Sequence, residues 1–398
     1  MNICFICDEY PPVSHGGIGT ITKSLAEELV IQGHKVFVIG ILPLSFGGEQ
    51  HEIVNGVEIW RIHHGVKIPL LSRNSLLYKA INKILKTDFI GLNKVWIEQN
   101  RLVEKLVKAH NIEIIEFPDY RLAYTYLNLK SDIWPKIDIP KIVKFHGSTN
   151  YFNLEADKTI SKPDMFYETD LYNYATQLVS VSLYTKLKMI SYYNLTKSIE
   201  VLHNGLEIVD KPYIGLERFI VFSGSLLPKK GIIPLLKAWN TVCDSIEGIT
   251  LKLYGKGIKE RFTKYIEPKH AGRVQFLGHT NKEHLLEEYT KAKLAVFPSF
   301  SEAFALAPME AMMVGCPTVY SNSTSGDELS KEKNELVLID PYNVDAFSKT
   351  LIDLLTDDGL RMQIGQQGKL LIKNNFNINK IAKNHLNLFE RLIDNGVE

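Results

Sequence analysis

The stretch FPSFSEAFALAPMEAMMVGCP, residues 297–317, places one carboxylate on each side of a change from loop to helix. Glu302 precedes the change and Glu310 lies about one turn inside the helix. Pro308 falls in the first helical turn, where its missing N–H costs nothing. The backbone N–H groups around Ala305, Leu306 and Ala307 then lack helical acceptors, and they form an anion site at the carboxyl end of the preceding apolar run. Glu310 can reach a ribose diol beside a diphosphate held there, and Glu302 the sugar beyond the phosphates. Two carboxylates so placed grip opposite ends of a nucleotide-sugar. A capping acid followed by a solvated helical Glu is the plainer reading, and the stretch alone leaves both open.

Outward from this stretch, short apolar runs alternate with helical patterns: ICFIC, KVFVIGIL, IEIIEF, KIVKFH and LVSVS, then FIVFSG, ITLKLYG, VQFLG, LAVFPS and PTVYS. Such alternation predicts parallel sheets covered on both faces. EIVNGVEIWRI reads as a hairpin turning at Asn55-Gly56. At 398 residues two domains are expected. The reading is an α/β protein with an amino-terminal domain over 1–205, a linker over 206–217 in a stretch without clear period, and a second domain over 218–376. An amphipathic helix over 377–398 closes the chain and is expected to pack back on the first domain.

Near the amino terminus, EYPPVSHGGIGT (9–20) puts two Pro and three Gly between a strand and a helix. This resembles a dinucleotide fingerprint, but that motif needs an acid at the end of the second strand. Here that strand runs FVIGILPLSF, which argues against a nicotinamide enzyme. A glycine-rich loop that only turns remains open.

Taken together, the motifs resemble those of the retaining glycosyltransferases of family 4, which adopt the GT-B fold. SEAFALAPMEAM is similar to the family's Glu-x7-Glu signature and PPVSHGGIGT to its amino-terminal Gly-Gly loop. VLHNGLE, SGSLLPKKGI, LYGKG and VQFLGHTNKEHL follow in the family's order. The resemblance implies two Rossmann-like domains with parallel sheets facing an interdomain cleft. It also implies roles: Lys230 beside the donor diphosphate, His146 over the donor sugar, and Gly17 and Gly19 as a side-chain-free loop approached by phosphates and acceptor. Asn204 and Gly205 would mark the crossover between domains, and Glu328 would lie near the nucleotide. In the phosphate motif, Ser225 after Gly224 stands where the family usually has Arg, removing a bidentate donor. FAL in place of FGL puts Ala305 in the anion turn.

Forty-six basic against 45 acidic side chains remove whole-chain charge as an argument for nucleic acid. The four Cys lie mostly in apolar runs, as in a reduced compartment, and no signal or membrane-spanning run is evident. Over 67–108, nine basic side chains face three acidic ones, with Leu and Ile at helical spacing. That is either a solvated face or a surface for anionic lipid. No metal-ligand spacing is present. The expectation is a metal-independent enzyme without a cofactor, cytoplasmic, with a position at the inner face of the membrane left open. It would move a sugar from a UDP-sugar, with GDP-sugar second, to a hydroxyl of a growing surface glycan or lipid-linked saccharide. A nucleotide-sugar epimerase of the same shape and a catalytically silent partner subunit are the rivals.

Overall fold

The computed structural model describes all residues except 12–15, 45–48, 67–74, 331, 333 and 397–398. It divides into two compact units. The first comprises Met1–Val181, Thr185–Gly205 and Ile378–Glu398, the second Ser182–Tyr184 and Leu206–Asn377.

The first unit is built on eight strands: β1 (Asn2–Ile6), β2 (Lys35–Pro43), β3 (His51–Val54), β4 (Val57–His64), β5 (Ile114–Pro118), β6 (Lys141–Phe145), β7 (Gln177–Ser180) and β8 (Ile199–Val201). Their order is β3-β4-β2-β1-β5-β6-β7-β8. Only β3 and β4 pair antiparallel, through a turn in which Asn55 and Gly56 have φ of 51° and 81°, as the hairpin reading expects. Helices cover both faces, so the central strand β1 is apolar: Ile3, Cys4, Phe5 and Ile6 are each at most 3% exposed.

The second unit holds β9 (Phe219–Ser223), β10 (Thr250–Tyr254), β11 (Val274–Gly278), β12 (Leu294–Phe297), β13 (Thr318–Ser321) and β14 (Val337–Ile339), all parallel, in the order β11-β10-β9-β12-β13-β14. Strand order reverses beside β1 in the first sheet and beside β9 in the second. In open parallel sheets the crevice at such a reversal, at the carboxyl ends of the strands, is where ligands bind.

Residues 206–217, read as a linker, belong to the second unit. Leu206 bridges Asn377, Ile214 and Gly215 donate to the Thr290 carbonyl, and Glu217 donates to that of Lys291. The closing helix, Ile378–Asp394, belongs to the first unit. Ile378, Ala382, Leu386 and Phe389 share one of its faces and join Ile3, Phe5, Leu25 and Val38 in one core. Gly205 ends the first unit's chain against this helix, where a Cβ would come within 2.8 Å of Ile381 Cγ1. Its neighbour Asn204 is 2% exposed.

Candidate functional site

In the second unit the reversal beside β9 gathers most of the residues picked from sequence. The turn Pro228–Lys230 follows β9, and the segment 298–305 follows β12, the adjacent strand. The two turns are fastened together. Phe300 N–H donates to the Lys229 carbonyl at 2.8 Å, and Gly231 adopts φ 71° with a would-be Cβ 1.8 Å from the Pro298 carbonyl. Only glycine fits there. This fastening sets Lys230 against Glu302: Nζ and Oε1 form an ion pair, and Ser299 Oγ donates to the same oxygen at 3.1 Å. Both side chains are largely buried.

Ala305 is the N-cap of the helix Leu306–Met313, with φ −76° and no side-chain cap. The missing glycine of the anion turn therefore imposes no strain. Leu306 and Ala307 open the helix, so their N–H groups have no intrahelical acceptor, and Pro308 lies in the first turn as expected. Glu310 is one turn on, its side chain 13% exposed, with Lys282 Nζ 3.7 Å away. Burial raises its carboxyl above the usual range, and Lys282 opposes this only in part. Gly224 (φ 151°) and Ser225 lead the turn after β9. Gly224 N–H donates to the Tyr254 carbonyl, and Ser225 is exposed. The arrangement offers Lys230, one helix start and two carboxylates, the second with Lys282 beside it, at the carboxyl end of one sheet, which suits a diphosphate flanked by two polyols. Glu328 accepts from the backbone N–H groups of Leu183 and Tyr184 at 2.8 and 3.0 Å.

In the first unit Gly17 and Gly19 differ from the loop expected of them. They lie in the first turn of the helix Gly17–Ile31, with Gly16 as N-cap, and a Cβ on Gly17 would meet nothing within 4 Å. What the segment presents is a helix start without a side-chain cap. Residues 12–15 of the glycine-rich motif fall outside the described residues.

His146 follows β6. Its backbone N–H and that of Gly147 donate to the two carboxylate oxygens of Asp119, at 2.8 and 3.1 Å. Burial and, secondarily, the charge of Lys144 hold the imidazole well below its usual pKa, and Nδ1 has no partner among the described residues. Asp119 was not picked from sequence. It is fully buried, and burial pushes its carboxyl up to about 7 despite the two backbone bonds. A second missed pair joins Asp8, after β1, to Arg121. Two guanidinium nitrogens reach the carboxylate at 2.8 and 2.6 Å, and the guanidinium carbon stands 4.1 Å from the centre of the Trp96 ring. This pair borders a cavity of about 140 Å³ walled by Ile18, Ile41, Leu42, Phe89 and Leu122. The signal for both was a carboxylate one or two residues past a strand beside the order reversal.

Among the described residues one group could hold a metal: Asp244, Glu267 and His270, whose ligating atoms lie within 4.8 Å of one another. Lys269 Nζ already bonds to Asp244 at 2.6 Å and lies 3.3 Å from Glu267, so the group is charge-compensated. No helix among these residues is long and apolar enough to cross a membrane. All four Cys are free and buried.

Known proteins match this geometry. The family described as Glycosyltransferase Family 4 matches residues 15–209, and that described as Glycosyl transferases group 1 matches 209–371. The O-antigen chain mannosyltransferase B of Escherichia coli is 24% identical over 87% of this chain and 88% of its own length. Sucrose-phosphate synthase of Thermosynechococcus elongatus superposes with a TM-score of 0.77 at 17% identity, covering 99% of this chain and 100% of that one. HepE of Anabaena, solved with UDP-glucose, gives a TM-score of 0.68 at 16% identity, covering 98% and 100%. With two parallel-sheet α/β units and consecutive family matches from residue 15 to 371, the chain belongs to the family 4, group 1 glycosyltransferases of GT-B fold.

Proposed function

We propose that the chain is a retaining glycosyltransferase that moves a sugar from a UDP-sugar to a hydroxyl of a growing surface glycan or lipid-linked saccharide. The observation that carries this reading is the convergence of Lys230, Glu302, the helix start at Leu306 and Glu310 at the carboxyl end of one sheet. HepE was solved with UDP-glucose and the E. coli relative is a mannosyltransferase, which supports a nucleotide-sugar donor with GDP-sugar as the second candidate.

In this reading the diphosphate lies against the helix start, and Lys230 compensates its charge as the glycosidic bond breaks. Gly224 and Ser225 line the phosphates, and Glu310 accepts from the ribose diol. Glu302 accepts from hydroxyls of the transferred sugar. The resemblance assigns His146 to the donor sugar, and Gly17 and Gly19 at their helix start to donor phosphates and acceptor. The departing diphosphate takes the acceptor's proton. Neither metal nor cofactor has a part.

The enzyme would work in the cytoplasm at the inner face of the membrane. The helix Leu76–Leu85 supports that placement, since it exposes Leu76, Leu77, Ile84 and Leu85 beside Lys83. Of the basic segment 67–108, residues 67–74 and the Lys79 side chain lie outside what the structure describes.

The deciding experiment incubates the chain with labelled nucleotide-sugars, with and without candidate acceptors and with chelator present. Transfer with retained anomeric configuration is expected, and donor altered without acceptor would mark an epimerase instead. Ser225, a weak phosphate ligand, is the observation that favours a silent subunit. That reading requires that no donor be turned over at all.

A further inference from the structure

Behind the strand that carries His146, the first unit buries three ionisable side chains that the proposed mechanism does not use. Glu116 on β5 is 7% exposed, Lys144 on β6 1%, and His385 on the closing helix 0%. Lys144 Nζ lies 2.9 Å from His385 Nε2. His385 Nδ1 lies 2.7 Å from the carbonyl of Ile381, one turn earlier on the same helix.

A carbonyl only accepts, so Nδ1 carries the proton, Nε2 offers a lone pair, and the Lys144 ammonium donates. His385 is thus an uncharged ligand for a buried cation. The opposite charge is Glu116. Lys144 pairs with Pro118 across the strands, and Glu116, two residues before Pro118, shares its face of the sheet. No ion-pair contact joins Glu116 to Lys144 among the described residues. Burial lowers the pKa of Lys144 and the charge of Glu116 opposes this; a buried ammonium with one hydrogen bond is costly, and an apolar side chain would fill the place without that cost.

The position of Lys144 gives the cost a purpose. It precedes His146 by two residues, and its charge reaches the His146 ring, as it does that of His385. The groups that meet His146 are Lys144 on its own segment, Asp119 through the backbone, and His385 from the helix, with Glu116 behind Lys144. Glycosyl transfer develops positive charge on the sugar ring. An imidazolium there would oppose the transition state, whereas a neutral imidazole can still exchange hydrogen bonds with a hydroxyl.

We propose that Lys144, clamped by His385 of the closing helix, is a positioning residue that adds to burial in keeping His146 uncharged during transfer. The inference rests on the reading of His146 as a ligand of the donor sugar. The test uses the full chain and the variant Lys144→Met/His385→Leu, which replaces both partners by apolar groups and so leaves no orphaned donor or acceptor. The readouts are the His146 titration by NMR and the pH profile of transfer. The midpoint of His146 is expected to rise by about one pH unit, and the acid limb of kcat to rise with it while KM stays within about twofold. Lys144→Arg keeps the charge and should keep the parent midpoint. If the double variant does not fold, Lys144→Gln, which keeps a bond to His385 without the charge, supplies the same measurement. A folded uncharged variant whose His146 titrates as in the parent overturns the proposal. Undiminished transfer by His146→Ala would instead overturn the reading of His146, and with it any role for Lys144 in transfer, while leaving the measured midpoint standing.

Discussion

Lys230 and Glu302, 72 residues apart, form an ion pair at the strand-order reversal of the second unit. In the donor-free chain each neutralises the other, so a diphosphate must compete for the cation. Lys230→Ala should lower kcat/KM by about 10²–10³ with little change in melting temperature, while Lys229→Ala stays near parent. Glu302→Gln should depress turnover and, by releasing Lys230, leave UDP binding unchanged or tighter. Calorimetric weakening of UDP in Glu302→Gln would contradict the assignment of that carboxylate to the sugar.

Glu310 should make nucleotide binding sensitive to mild acid. Burial raises its carboxyl, so it takes up a proton at a higher pH than an exposed Glu as pH falls. The ionised form is the stronger acceptor for ribose hydroxyls. UDP affinity should therefore fall as the pH is lowered more steeply than in Glu310→Gln, which retains only the nucleotide's own titration. At neutral pH the Gln variant should lose about 1.5–3 kcal/mol of binding. Parallel pH slopes for the two proteins would refute the role.

At Ser225 the side chain is exposed. Ser225→Arg should tighten UDP by up to roughly 1.5–3 kcal/mol through a charge-assisted bond. Tighter product can slow release, so turnover is expected to stay level or fall. Binding unaltered by the new Arg would place the phosphates away from this turn.

For the helix Leu76–Leu85, Leu77→Glu/Ile84→Glu should abolish co-sedimentation with vesicles containing about one-third anionic lipid. Transfer to a water-soluble acceptor should persist. Equal sedimentation of parent and variant, or none by the parent, would remove the membrane from the proposal.

The alternation of apolar runs was enough to predict two parallel sheets, because strands covered on both faces have few polar positions to confuse the pattern. Glu302, Glu310 and the helix start between them were legible for a local reason: one turn of chain determines their spacing. Lys230 was legible as a residue but not as the partner of Glu302. The segment 206–217 misled because its order comes from backbone bonds to Thr290 and Lys291, which leave no period in the sequence. Gly17 and Gly19 suggested a loop, since glycine is a poor helix former, yet the helix begins there. His385 lies within the amphipathic pattern of 377–398, and its partner is 241 residues earlier, beyond the reach of any local pattern.

The closing helix makes the second unit an insertion in the first. Residues 206–377 are one uninterrupted stretch, whereas the first unit needs Ile378–Asp394 to complete its core around Ile3, Phe5 and Val38. During synthesis the second unit is fully available before the first can close, although the first leaves the ribosome earlier. Until its last turns emerge, the nascent first unit holds Lys144 without its imidazole ligand and an apolar sheet face without cover. Folding of the half that carries His146 therefore waits for residues 378–394 to be synthesised, and a chain stopped near residue 377 would be left with that half unfinished.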